Sequence, residues 1–201
     1  MKINKFKFNL FALAGVFFIL SACNSGSASH ESTTKHDDTN MLHDVDMHND
    51  EVEISKAICI MTPTEGNDVK GTVTFTQTDA GIRIVADIEG LTPGEHGFHI
   101  HEWGDISKSD GTAAGGHFNP EGHDHAGPHD AVRHAGDMGN LIADENGKAH
   151  YDEVDDLITF SGKNNIIGRS IIIHVNADDL VSQPTGDAGG RVAQGVIGVA
   201  K

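Results

Sequence analysis

Thr72-Val73-Thr74-Phe75-Thr76-Gln77-Thr78-Asp79-Ala80-Gly81-Ile82-Arg83-Ile84-Val85-Ala86-Asp87-Ile88 is the stretch that decides the fold class. Val73 and Phe75 alternate with threonines, and Ile82, Ile84, Ala86 and Ile88 alternate with Arg83, Val85 and Asp87. A period of two sends every second side chain to one face, so each run reads as a half-buried strand. Asp79-Ala80-Gly81 between them is the polar, glycine-bearing turn of a hairpin. Outward from this hairpin, further strands are expected at 52–61, 97–102, 140–143, 149–154, 170–175 and 194–200, with Asp144-Glu145-Asn146-Gly147 as another turn. No helical periodicity is sustained for about a dozen residues, so the chain reads as an all-β sandwich or barrel of about eight strands. Residues 103–133 and 176–190 are long, Gly-rich and aperiodic, and loops of that length in a compact domain usually carry function.

Composition narrows the function. The 201 residues hold 14 Lys and Arg against 30 Asp and Glu, a formal charge of −16. Phosphate binding needs clustered Lys and Arg, and none occurs, so nucleic acid is not an expected partner. Two Cys cannot build a disulfide scaffold or a thiolate zinc finger. Fourteen His beside abundant Asp supply instead the donors of an imidazole and carboxylate metal site.

Three zones follow from the same pass. Residues 1–22 have a basic start with Lys2, Lys5 and Lys7 and an apolar run from Phe8 to Leu20 broken by Asn9, the pattern of a secretory signal. Leu20-Ser21-Ala22-Cys23 resembles the lipobox of bacterial lipoproteins, which implies cleavage before Cys23, its lipidation and anchoring to a membrane of the cell envelope, on the periplasmic or cell-surface side. Loss of the three lysines would take the charge from −16 to −19. Residues 23–50, rich in Ser, Thr, Asn, Asp and His, cannot bury enough apolar surface to offset the entropy of ordering and read as a flexible tether. Its His30, His36, His43 and His48, with Met41 and Met47, could capture copper or zinc weakly; a polar stalk is the plainer reading. Residues 51–201 form the domain.

His99-Ile100-His101 sits in an expected strand, where residues two apart share a face, so both imidazoles can reach one ion while Ile100 enters the core. His117, His125, His134 and Asp137 are spaced so that a folded loop could wrap a tetrahedral site suited to zinc. His174 ends the apolar run Ile171-Ile172-Ile173 and taken alone would read as a core histidine. Gly94-Glu95-His96-Gly97-Phe98-His99-Ile100-His101-Glu102-Trp103-Gly104-Asp105, Gly116-His117-Phe118-Asn119-Pro120, His134-Ala135-Gly136-Asp137-Met138-Gly139-Asn140, Gly168-Arg169 through His174, and Gly189-Gly190-Arg191-Val192-Ala193-Gln194-Gly195-Val196-Ile197-Gly198 follow in order. Together they closely resemble the copper/zinc superoxide dismutases over essentially all of residues 52–201.

The resemblance implies an eight-stranded Greek-key β-barrel, an immunoglobulin-like sandwich with two long functional loops. It implies copper on His99, His101, His117 and His174, and zinc on His117, His125, His134 and Asp137, with His117 as a shared imidazolate. It implies disproportionation of superoxide to oxygen and hydrogen peroxide, with His117 handling a proton and Arg191 attracting the anion. Asp178 would tie ligand imidazoles of both sites together and fix their tautomers. Trp103, Ile167, Gly168, Gly198 and Val199 match the dimer seam of eukaryotic-type members, so a homodimer is expected. His96 is expected to be structural, and His123, His129 and His150 solvated. The competing function is a copper-binding or copper-delivery module without catalysis, which would commonly lack a copper ligand or the arginine; all are present here.

The sequence departs from the family's pattern in its tether and lipobox and at two further places. The family's usual disulfide would fall near Gly111 and at Gln194, neither a Cys, while Cys59 lies alone in the first strand. Loss of such a bridge costs about 2 to 5 kcal/mol unless compensated, so a labile, strongly metal-stabilised apoprotein is expected. The segment 179–191 is also short and carries Val181-Ser182-Gln183-Pro184-Thr185 where animal members have a charged guidance cluster, and such steering is worth about 10 to 1000 in on-rate.

Overall fold

The computed structural model of this chain describes residues 53–201, and the expected signal segment, Cys23 and the tether lie outside those residues. Eight strands are formed: β1 (Lys56–Pro63), β2 (Lys70–Thr78), β3 (Gly81–Glu89), β4 (Gly94–His101), β5 (Asp137–Ala143), β6 (Ala149–Asp155), β7 (Ser170–His174) and β8 (Arg191–Val199). They close into an antiparallel barrel in the order β1-β2-β3-β6-β5-β4-β7-β8. β4, β5 and β6 are successive neighbours and β7 returns beside β4, which is the Greek-key connection. The closure is narrowest between β5 and β6, which meet at the single pair Ala143 and Ala149.

The hairpin behaves as its alternation dictates. Val73 pairs with Ala86 and Phe75 with Ile84 in the β2–β3 register, and all four are fully buried. Threonines and charged residues on the other parity face outward. The core they enter is completed by Phe98, Ile100, Leu141, Ile171 and Ile173. Phe98 meets Tyr151 edge to face at 5.3 Å, and the Tyr151 hydroxyl donates to the Met138 carbonyl, so this half-buried ring packs on the core without stranding its polar end.

β4 and β7 differ from the hairpin because both of their faces are covered. Every residue from His96 to His101 and from Ser170 to His174 is buried. Phe98, Ile100, Ile171 and Ile173 point into the core, whereas His99, His101, Ile172 and His174, of the other parity, lie beneath the loops 102–136 and 175–190. Among the described residues the regular structure within these loops is one 3-10 turn, Thr112–Ala114.

Strand ends depart from the sequence expectations where it matters for the site. β4 starts at Gly94 rather than 97, β5 at Asp137 rather than 140, and β8 at Arg191 rather than 194. Asp137 and Arg191 are thus the first residues of strands, carried on rigid ladder ends instead of in mobile loop. β1 runs from Lys56 rather than 52.

Cys59 is buried in the core with its Sγ 3.5 Å from Met61 Sδ, and burial pushes its thiol up to about 12. The 102–116 loop is tied to β8 and its neighbour by hydrogen bonds: Gln194 Nε2 donates to Lys108 O (3.1 Å), Arg191 donates to Gly111 O and Gly115 O, and Glu65 N donates to Ser109 O (2.8 Å). Phe98→Ala, which empties the centre of the core directly behind His99, is expected to lower unfolding free energy by about 3–5 kcal/mol in urea titrations.

Candidate metal centre

The site grows from the outer face of β4. Alternation places His99 and His101 side by side there. The distal loop then folds back alongside the same strand: Glu102 N donates to Gly116 O, Phe118 N to Ile100 O, Ile100 N to Gly136 O and Gly136 N to Phe118 O, all at 2.8–3.0 Å. These bonds bring His117 opposite His101 and deliver Asp137 opposite His99. Gly136 is required, because a Cβ there would strike the Ile100 carbonyl and open the ladder. His174 arrives from the end of β7, opposite Arg191 at the start of β8.

The result is two clusters with one shared member. Donor atoms of His99, His101, His117 and His174 lie within 4.8 Å of one another, and so do those of His117, His125, His134 and Asp137. All seven expected ligands are therefore brought together, and all are buried.

Hydrogen bonds from outside fix which nitrogen faces inward. His99 Nε2 donates to Asp178 Oδ2 (2.8 Å), His101 Nδ1 to Gly115 O (3.0 Å) and His174 Nδ1 to Gly189 O (3.1 Å). His125 Nε2 donates to Asp178 Oδ1 (2.9 Å) and His134 Nε2 to His123 O (3.1 Å). A neutral imidazole carries one N–H, so in such a ring the remaining nitrogen presents a lone pair to the cluster; His125, held between Asp137 and Asp178, must shed a second proton to do the same. His101 Nε2 and His174 Nε2 thereby face each other at 3.3 Å, lone pair to lone pair.

This arrangement calls for cations. His99 Nδ1, His117 Nε2, His125 Nδ1 and His134 Nδ1 are buried without a hydrogen-bond partner. Nδ1 of His117, His125 and His134 lie 2.8, 2.9 and 3.3 Å from the single oxygen Asp137 Oδ1. A zinc ion with donors at about 2.0–2.1 Å sets tetrahedral edges of about 3.3 Å, close to this spacing. The second oxygen of Asp137 accepts His134 N and Ala126 N, so the carboxylate cannot swing away. His117 alone among the imidazoles has no acceptor outside the clusters: its Nε2 points to the first group and its Nδ1 to the second.

Asp178 spans the two groups, one oxygen on His99 and the other on His125. Its main chain is gripped by Asn140, whose amide donates to Asp178 O (2.9 Å) and accepts Asp178 N (2.7 Å). Burial, then the neighbouring imidazoles, pushes His99 down to about 3 and, with Arg191, His174 down to about 4; His101 and His117 are also lowered chiefly by burial. His125 moves the other way, to about 9, because Asp137 and Asp178 outweigh its burial.

Expected bystanders behave as such. His123, His129 and His150 are exposed, and His150 pairs with Asp87 at 2.7 Å. His96 is buried and braces a ligand's backbone, its Nδ1 lying 2.8 Å from His174 O and its Nε2 2.8 Å from Thr92 O. Sequence reasoning had given no role to Asn140 or Gln183, nor to the carbonyls of Gly115, Gly189 and His123. Backbone acceptors leave no mark in side-chain identity; Asn140, inside a quoted motif, was the one with a visible signal.

The chain matches the family model described as copper/zinc superoxide dismutase (SODC) over residues 69–197. It is 46% identical over 158 residues to the superoxide dismutase [Cu-Zn] of Paramecium bursaria Chlorella virus 1, covering 75% of this chain and 83% of that protein. Among solved structures it is similar to the clock protein EA4, with a TM-score of 0.69 and 45% identity over 77% of this chain and 100% of that one.

The shifted imidazoles set the pH response of the metal-free protein. His99, His101, His117 and His174 are lowered in the fold, so below the unfolded value of 6.5 the unfolded chain binds more protons and stability falls, by up to about 1.4 kcal/mol per pH unit for each ring. His125, raised to about 9, gives stability that is full below 6.5 and lost as pH rises through 9. Urea midpoints of chelator-treated protein are therefore expected to peak near pH 6.5 and fall more steeply on the acid side; a flat profile from pH 5 to 9 would contradict this.

Proposed function

The chain belongs to the copper/zinc superoxide dismutase family, and on that premise we propose how its own residues carry the family's reaction. The protein is an enzyme that converts superoxide to molecular oxygen and hydrogen peroxide, with copper and zinc as cofactors. Copper is assigned to His99 Nδ1 and to Nε2 of His101, His117 and His174; zinc is assigned to Nδ1 of His117, His125 and His134 and to Asp137 Oδ1. The observation that carries this reading is His117, whose two ring nitrogens face two different donor sets and nothing else.

Bound copper supplies a one-electron couple, Cu(II)/Cu(I), through which two superoxide ions and two protons give one O2 and one H2O2, beside zinc as a fixed positive charge. His117 Nε2 is the atom suited to take up a proton and return it to the developing peroxide, while Nδ1 stays engaged beside Asp137. Arg191 orients the anion: its guanidinium is fixed by two carbonyls, Gly111 O and Gly115 O, on a strand end opposite His174. Asp178 keeps the His99 and His125 lone pairs aimed inward. A copper-delivery module without catalysis is the weaker reading, because every donor and Arg191 is retained.

The same proposal extends to cell context. Residues 1–22 as a signal and Cys23 as a lipidated anchor at the cell envelope, periplasmic or surface side, rest on Leu20-Ser21-Ala22-Cys23 behind its apolar run. A homodimer is supported by Trp103 and Val199, apolar seam positions that are 56% and 55% exposed in the single chain.

Superoxide consumption by copper- and zinc-loaded protein tests the reading. Arg191→Ala is expected to lower kcat/KM on the order of 10²-fold, as deletion of one preorganised electrostatic group does. Loaded wild type no faster than its metal-free form would overturn it. Because the chain is strongly anionic and no Lys or Arg lies between residues 179 and 190, raising ionic strength should screen net repulsion of superoxide and raise kcat/KM; a fall with salt would show attractive steering instead.

A further inference from the structure

The His125 main chain makes no backbone hydrogen bond within its own loop, and His123 and Asp124 before it are exposed. Its support comes from far along the chain. Gln183 Oε1 accepts the His125 N–H at 2.8 Å, and Gln183 Nε2 donates to the His125 carbonyl at 2.8 Å. The primary amide thus reproduces the donor and acceptor pattern of an adjoining strand. Asp178, five residues earlier, takes the ring Nε2. One segment therefore grips His125 by both backbone groups and by the ring.

That segment is itself closed. Asp179 N donates to Gly186 O (2.9 Å) and Gly186 N to Ser182 O (2.7 Å), while the Asp179 carboxylate accepts Val181 N, Ser182 N and the Ser182 hydroxyl. Gln183 projects from the apex of this turn. Gly186, at φ +67, packs where a Cβ would collide with the Asp178 carboxylate and the His125 ring.

We propose that Gln183 is a positioning residue for the zinc group: it fixes the His125 main chain so that the Nδ1 lone pair meets the donors around Asp137 Oδ1. This rests on the zinc assignment made above. The segment that carries Asp178 then orders with zinc, and zinc binds more tightly when that segment is ordered, in equal measure. The short Val181-Ser182-Gln183-Pro184-Thr185 stretch, lacking charge, gains a role as a clamp.

The test is zinc affinity by chelator competition on the copper-free full chain, for wild type, Gln183→Ala and Gln183→Met. Gln183→Met keeps the length and loses both hydrogen bonds to His125, along with the longer one to Val181 O (3.2 Å). Both variants are expected to bind Zn2+ about 10-fold more weakly, the low end for loss of a ligand's outer hydrogen bonds. Copper affinity of the zinc-free protein and the urea midpoint of the metal-free protein should stay near wild type. Amides of 179–186 should gain hydrogen-exchange protection on zinc addition in wild type and less in the variants. Wild-type zinc affinity in Gln183→Met, or equal losses in copper affinity and metal-free stability, would overturn the proposal. A wild type that takes up no zinc would overturn the assignment beneath it.

Discussion

One imidazole with both nitrogens committed organises this protein. His117 is held in register by the pairing of the 116–118 segment with β4, and neither of its nitrogens finds an acceptor outside the two donor groups. Every other imidazole of the site spends one nitrogen on an oxygen beyond the cluster, which leaves a single nitrogen facing inward. His117 Nδ1 rests on Asp137 Oδ1 and its Nε2 has no partner, so the ring bonds through both nitrogens to cations only if both groups are filled, and its position is dictated by the barrel.

Concentrating lone pairs in this way costs stability wherever cations are missing. Buried polar atoms without partners are expensive, and four imidazole nitrogens here are in that state. The barrel absorbs the cost through an apolar core on the opposite faces of β4 and β7, where Phe98, Ile100, Ile171 and Ile173 are fully buried. The same strands serve both purposes because their two parities are separately covered, one by core and one by loops. Metal binding relieves the repulsion and joins loops that otherwise meet through a few hydrogen bonds, so stability and cofactor content are expected to vary together.

Much of this was legible in the residues. The 72–88 alternation gave the hairpin, the short strands gave an all-β class, and the long ordered motifs gave the family and the seven donor residues. Strand ends were not legible: Asp137 and Arg191 read as loop residues because Gly136 and Gly190 precede them, yet tertiary pairing extends the ladders to include them. The missing cross-link was visible, but its replacement was not. Gln194 reaches Lys108 O and Arg191 reaches two loop carbonyls, contacts with backbone oxygen that residue identity does not signal. Gln183 escaped for the same reason, since an uncharged loop residue gains meaning only from the main chain it touches.

The acidic charge is the remaining tension: an anion must reach a cationic centre in a strongly negative protein, and Arg191 at the rim is the fixed local attraction. The centre itself stands or falls on the shared ring. The most direct test is the visible and electron-paramagnetic spectrum of Cu(II) in the protein before and after zinc is added, in wild type and in His117→Ala. The account predicts that zinc shifts the copper spectrum of wild type and leaves that of His117→Ala unmoved. A wild-type copper spectrum indifferent to zinc, or an equal shift in the variant, would contradict it.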